Sequence, residues 1–188
     1  MSRTLLFCLL FILLPLSSVF AAAPPAPVPA TGQTITYEIG DDGNLQKGIQ
    51  WPDPRFTDND DGTVTDNLTG LIWLKYPTLY NCFNREMPWP DALAAANALA
   101  DGSCSLPDSS KAGAWRLPNI NELESLSGLY MMPEVRPFTM KAERYWSSTT
   151  DVTKPTTAWT VDMLSGAARG DSHKTYQSHW VWPVRGGQ

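Results

Sequence analysis

The first apolar stretch of this chain runs from Leu5 to Leu14 without interruption, behind the single charge of Arg3 and ahead of Pro15 and a set of small residues. A charged, an apolar and a small-residue region in that order make a cleavable secretory signal. A membrane span needs roughly 20 apolar residues, and this run stops at Pro15. Val19-Phe20-Ala21 fits the small-x-small cleavage rule, so residues 1–21 are expected to be a signal peptide that leaves no stable membrane insertion behind. Residues 22–47 then form a Pro/Ala-rich tether and linker, because Ala21 to Ala30 is almost entirely Ala and Pro and favours extended geometry. The folded domain is expected over 48–188.

Within that domain the apolar period changes twice. Arg55-Phe56-Thr57, Thr63-Val64-Thr65-Asp66 and Leu71-Ile72-Trp73-Leu74 are β-branched and aromatic runs separated by Asp, Asn and Gly, which reads as a hairpin with strand and turn signals. Trp89 to Ala100 is rich in alanine, and Trp89, Leu93, Ala96 and Ala100 share one helical face ahead of Gly102. Asn119, with Glu122 three residues on, is a capping box that starts a second helix carrying Leu123, Leu126 and Leu129. Short strands follow at Tyr145 to Thr149, Ala158 to Met163 and Trp180 to Arg185. Hairpin, two helices, then antiparallel strands is an α+β layout.

Charge and cysteine content narrow the setting. The formal charge of −5 becomes more negative once Arg3 is removed, and such a surface is a poor general binder of nucleic acid or anionic lipid. Cleavage removes Cys8 and leaves Cys82 and Cys104, which in an oxidising compartment most simply form one disulfide. The expected address is secreted or periplasmic.

Candidate chemistry is sparse. The turn Asp58 to Gly62 carries Asp58, Asp60 and Asp61, weak calcium candidates, but aligning Gly62 to loop position 6 of an EF-hand puts Thr57 at position 1 and Leu68 at position 12. A capped tight turn accounts for the same residues. His173 and His179 are the only histidines, and no G-x-S-x-G, H-E-x-x-H or phosphate-binding glycine loop is present. The expectation is a protein that is not an enzyme, with no cofactor and no metal. Asn67-Leu68-Thr69 is a glycosylation sequon in hosts that use one.

Eight tryptophans remain to be placed. Trp73, Trp115, Trp146, Trp159 and Trp182 alternate with polar or small neighbours and are expected in the core. Trp180 is a candidate for exposure. The stretches Asp151 to Thr157 and Ser165 to Ser178 read as loops between late strands, and loops on a rigid scaffold often carry binding residues. Arg169, Asp171, His173, Lys174, Tyr176 and Trp180 are the candidate ligand-binding residues.

Several of the strings already quoted occur in a fixed order: Pro54-Arg55-Phe56-Thr57-Asp58, Gly62 to Trp73, Trp115-Arg116-Leu117-Pro118-Asn119 with Glu122-Leu123, Tyr145 to Thr149, and Val181-Trp182-Pro183-Val184-Arg185-Gly186. Together they resemble the bacterial domain of unknown function 1566 family, also named for the C-terminal domain of the Legionella collagen-like adhesin. The resemblance implies a C-type-lectin-like fold, with two helices flanking short antiparallel sheets and the N- and C-terminal strands paired, Leu71 to Leu74 against Val181 to Arg185. It also implies a binding role for the late loops; the adhesin relative is associated with sulfated glycans and a trimer. This chain lacks a collagen-like Gly-X-Y repeat and the Glu-Pro-Asn and Trp-Asn-Asp motifs of calcium-dependent lectins.

The expected function is therefore a secreted, adhesin-like binding domain for an extracellular glycan or protein, with self-association left open. The alternatives are an enzyme of the formylglycine-generating type, which needs reactive thiols, and a structural or assembly protein of the envelope.

Overall fold

A computed structural model describes residues 28–79, 82–129 and 137–186. The expected signal peptide and the first residues of the tether lie outside these. The chain divides into two compact units between Ile49 and Gln50.

In the first unit the stretch read as linker is closed on itself from Val28 onward. Ala30 N–H donates to Ile49 O and Ile49 N–H to Val28 O, both at 2.8 Å. A one-turn helix, α1 (Asp42–Leu45), follows the cap residue Asp41, whose carboxylate accepts from Asn44 N–H and from Tyr37 N–H. These donors, Tyr37 first, hold the Asp41 carboxyl below its usual range. The Pro/Ala composition that suggests a tether runs on to Ala30, which is already bonded to Ile49, and short polar side chains beyond it supply the turn contacts.

The second unit is an α+β domain with two small antiparallel sheets. β1 (Phe56–Asp58), β2 (Thr63–Asp66), β3 (Ile72–Leu74) and β7 (Val184–Arg185) form one sheet in that order. The β1–β2 turn works because Gly62 takes φ +79° and Asp60 φ +58°. Asp58 and Asp61 then cap Asp60 N–H and Thr63 N–H. Beyond it, Ile72 pairs with Arg185 and Trp73 with Val184, so the Leu71 to Leu74 segment meets the last strand as expected. That segment is the third strand, however, and the first, β1, lies at the opposite edge of the sheet. The last strand is shorter than the Trp180 to Arg185 run suggested. Trp180 to Pro183 lie outside it, and their contacts include the Trp182 indole N–H donating to Leu74 O at 2.9 Å.

α2 (Trp89–Ala98) has Pro90 in its first turn, where a missing N–H costs nothing, and buries Ala92 and Ala96. α3 (Ile120–Glu124) carries the full Asn119/Glu122 capping box but lasts little more than a turn. Leu126 and Leu129 are buried from the turns that follow it. Arg116 forks onto Glu122 at 2.7 and 2.8 Å and thereby ties the capping glutamate to the strand side of the domain.

The second sheet contains β4 (Arg144–Thr150), β5 (Thr157–Asp162) and β6 (Ala168–His173), with β5 in the centre. The core gathers Trp73, Trp115, Trp146, Trp182, Tyr145 and leucines from both helices and turns. Phe138, Trp73 and Tyr145 all contact the Trp182 ring within 5.6 Å. Cys82 and Cys104 form a disulfide. Among the described residues no helix is long and apolar enough to cross a membrane.

Candidate functional site

The second sheet is regular except around one residue. Trp159 sits mid-way along β5, and the register slips on both of its flanks. On β6, Ala158 pairs with Ser172 and Thr160 with Arg169, so Gly170 and Asp171 share the place opposite Trp159. On β4, Trp146 pairs with Thr160 and Thr150 with Ala158, which leaves Ser147, Ser148 and Thr149 on that side. Extra residues of this kind bend a strand and re-aim its side chains.

Gly170 completes the arrangement. A Cβ at that position would stand 3.0 Å from Cε2 and 3.1 Å from Cζ2 of Trp159, and 3.3 Å from Asp151 Oδ2. A residue without a side chain lets the indole lie close across β6 there, where even a methyl would push the ring aside. The ring is half-buried and floors a shallow groove of about 430 Å³, edged by Asp151, Thr153 and Lys154 from the β4–β5 loop and by Arg169 and Asp171 from β6.

The loop side of the groove is held by its own hydrogen bonds. Asp151 Oδ1 accepts from Thr153 N–H at 2.9 Å and from the Thr153 hydroxyl at 2.7 Å. The bonds from Thr153, the hydroxyl first, keep the Asp151 carboxyl below its usual range and therefore ionised at neutral pH. Asp151 Oδ2 takes no part in them and faces Gly170. On the strand side, Arg169 and Asp171 are exposed, and among the described residues neither side chain has a hydrogen-bond or ion-pair partner. The groove thus offers an aromatic face, a free guanidinium and free carboxylate oxygens on a hydrogen-bonded frame.

The model of the Lcl C-terminal domain family matches residues 62–185, a span that begins at the β1–β2 turn and ends on β7. The chain belongs to the Lcl C-terminal domain family. Curated proteins supply no match. The motifs that carried the resemblance all fall within or beside this Lcl C-terminal domain's two sheets, and several have local structural work. Arg55 and Asp66 pair in the interior, Asn119 and Glu122 cap α3, and Trp73 and Trp182 pack edge to face.

The candidate residues named from the sequence are not brought together as one set. Arg169 and Asp171 reach the groove, although from a strand: Ala168–His173 is β6, so half of the stretch read as a loop is sheet. Its Gly, Asp and Ser content disguised a strand whose irregularity needs those residues. Lys174 is half-buried and committed elsewhere. Its ammonium donates to the Thr150 hydroxyl at 2.8 Å and to Pro155 O at 2.9 Å, and it lies 4.2 Å above the Trp89 ring. It braces the β4–β5 loop. Half-buried His173, the last residue of β6, and exposed Tyr176 stack on each other at 4.4 Å.

Trp180 and Trp159 exchange their expected places. Trp180 is 7 % exposed and its ring is covered by Lys141 at 4.3 Å, so it presents no face for a ligand. Trp159, expected in the core, is the tryptophan that lines the groove. Thr153 and Lys154 were not singled out individually, and their position next to the indole follows only from the fold. The acidic turn is likewise occupied by its own contacts, with Lys75 paired to Asp58. Among the described residues no three His, Cys, Asp or Glu side chains group to hold a metal ion.

His179 is the second histidine, and it is half-buried. Its Nε2 lies 3.1 Å from the Ser172 hydroxyl, and its ring meets Trp146 edge-on at 4.6 Å. Burial, with Arg144 adding to it, pushes its pKa down to about 4 against the opposing pull of Asp171. The imidazole is neutral at physiological pH and serves as packing.

Proposed function

We propose that this protein is an exported, non-enzymatic binding domain that uses the groove around Trp159 to hold a glycan or protein at the cell surface, in an adhesin-like role. The observation that carries the reading is the half-exposed indole on Gly170, beside the unpaired side chains of Arg169 and Asp171 and the free Oδ2 of Asp151. Aromatic faces with adjacent polar groups are what binding sites concentrate. Membership of the Lcl C-terminal domain family adds support, as does the Cys82–Cys104 bond, which suits an oxidising compartment. The same bond leaves neither cysteine free for formylglycine-type chemistry. A C-type-lectin-like arrangement is consistent with the pairing of β3 with the last strand and with the flanking helices.

The test is binding of the purified chain to a printed array of bacterial and host glycans and to extracellular-matrix proteins, comparing wild type with Trp159→Ala. Loss of the wild-type signals in the variant, with its near-ultraviolet circular dichroism retained, is the expected outcome. Identical signals from both proteins would remove the groove from the reading.

A further inference from the structure

We infer that the groove takes an uncharged pyranose, a hexose or hexosamine derivative without sulfate or carboxylate, stacked on Trp159. This rests on the binding role proposed above and deepens it by naming the ligand class. The argument begins with charge. The loop side of the groove carries Asp151 and Lys154 and the strand side Arg169 and Asp171, so each side has one acid and one base and the charges balance at the rim. A site built for a sulfated chain gathers cations and excludes carboxylates, because a like charge near the bound anion is costly. Here Asp151 is held ionised by Thr153, and its free Oδ2 stands beside the indole, where a sulfate would be repelled.

The same groups suit hydroxyls. Asp151 Oδ2 and the Asp171 carboxylate accept, the Arg169 guanidinium donates in a planar fork, and a sugar ring supplies adjacent hydroxyls able to meet both kinds of partner. The apolar C–H face of a pyranose covers an indole. The volume of about 430 Å³ falls within the range of small-ligand clefts. Lys174, the cation that a polyanion would be expected to recruit, is turned away onto Thr150, Pro155 and Trp89. A lysine side chain from a protein is the competing occupant, since an aromatic with carboxylates also attracts a cation; the unpaired Arg169 on the groove edge opposes it.

Two features make the stacking geometry testable apart from folding. Trp159→Phe keeps a smaller aromatic floor, and Gly170→Ala puts a methyl 3.0 Å from the indole and so tilts it without removing it. The experiment measures binding of the full chain to immobilised neutral oligosaccharides ending in glucose, galactose, mannose or their N-acetylated amines. Heparin, chondroitin sulfate and a lysine-rich peptide are compared beside them, at low and high salt. The expected result is binding to at least one neutral sugar that salt leaves unchanged. That binding should weaken by about tenfold or more in Trp159→Ala, the equivalent of ~1.4 kcal/mol, and less in Trp159→Phe. Gly170→Ala and Arg169→Ala should also weaken it while thermal unfolding stays two-state.

Trp159-dependent binding to heparin or to the lysine-rich peptide alone would overturn the neutral-sugar assignment and leave the binding role standing. Neutral-sugar binding that is indifferent to Trp159, Gly170 and Arg169 would overturn both. Absence of binding to any of the neutral sugars overturns the assignment as well.

Discussion

Arg55 and Asp66 meet in the interior of the first hairpin, with side chains only 4 % and 0 % exposed and Nε to Oδ1 at 3.4 Å. The guanidinium also donates to Ser125 O at 2.7 Å and lies over the rings of Trp51 and Phe56. Asp66 in turn accepts from Leu68 N–H and from the Thr69 hydroxyl. One pair therefore links the β2–β3 turn, the start of β1 and the end of α3.

Replacing Asp66 leaves a buried cation without its partner, which costs about 3–5 kcal/mol. Asp66→Ala should lower the denaturant midpoint accordingly, and Asp66→Asn should recover part of the loss by keeping the turn acceptor. Equilibrium urea unfolding checks both. A loss below about 1 kcal/mol, the ordinary worth of an exposed pair, would show that water reaches Arg55.

The disulfide should contribute in proportion to the loop it closes. Cys82 and Cys104 are 22 positions apart, for which the chain-entropy relation gives about 3 kcal/mol. The Cys82→Ala/Cys104→Ala double variant is expected to unfold earlier by that amount, and native protein should resist thiol alkylation until reduced. Alkylation without reduction would contradict the bond.

Acid should weaken the fold through His179. Its folded pKa of about 4 lies below the ordinary 6.5, so unfolding takes up a proton between the two. The contribution is present above about pH 6.5 and is lost as pH falls toward about 4. Arg144 makes protonation harder and Asp171 makes it easier. In His179→Gln, whose amide can still reach Ser172, thermal midpoints should change less across that interval than in wild type. Parallel pH curves for the two proteins would count against this origin.

Removing the Lys174 brace should loosen one loop without unfolding the domain. Lys174→Met retains a side chain over Trp89 but drops the bonds to Thr150 and Pro155. Amide exchange at Lys154 and Thr157, whose N–H groups bond within the loop, should quicken, with global stability lower by about 1–2 kcal/mol. Unchanged exchange at these amides would show that the loop is held by its backbone alone.

Much of this fold is legible in the sequence because the signals are local. Asn119 and Glu122 form the capping box their spacing suggests, Gly62 ends the acidic turn, and Pro90 opens α2. The groove was harder to foresee because it depends on register. Simple alternation along β5 puts Trp159 inside, and only the slips in β4 and β6 turn it outward. Trp180 was misjudged for the converse reason. The Trp-Val-Trp run looks like a strand with a shared face, yet residue 180 precedes the regular pairing and is folded under Lys141. Lys174 gives no sign of its role, since its partners, Pro155 on the β4–β5 loop and Thr150 at the end of β4, lie 19 and 24 positions away.

The turn from Asp66 to Gly70 has a role beyond closing a hairpin. Arg55 O accepts from Asn67 N–H at 2.8 Å as the chain comes into β1, and Gly186 passes close to Gly70 O just after β7. The polypeptide arrives and departs beside one turn. A unit with neighbouring ends can hang as a pendant from a host chain, spliced into an exposed loop with little distortion of either partner.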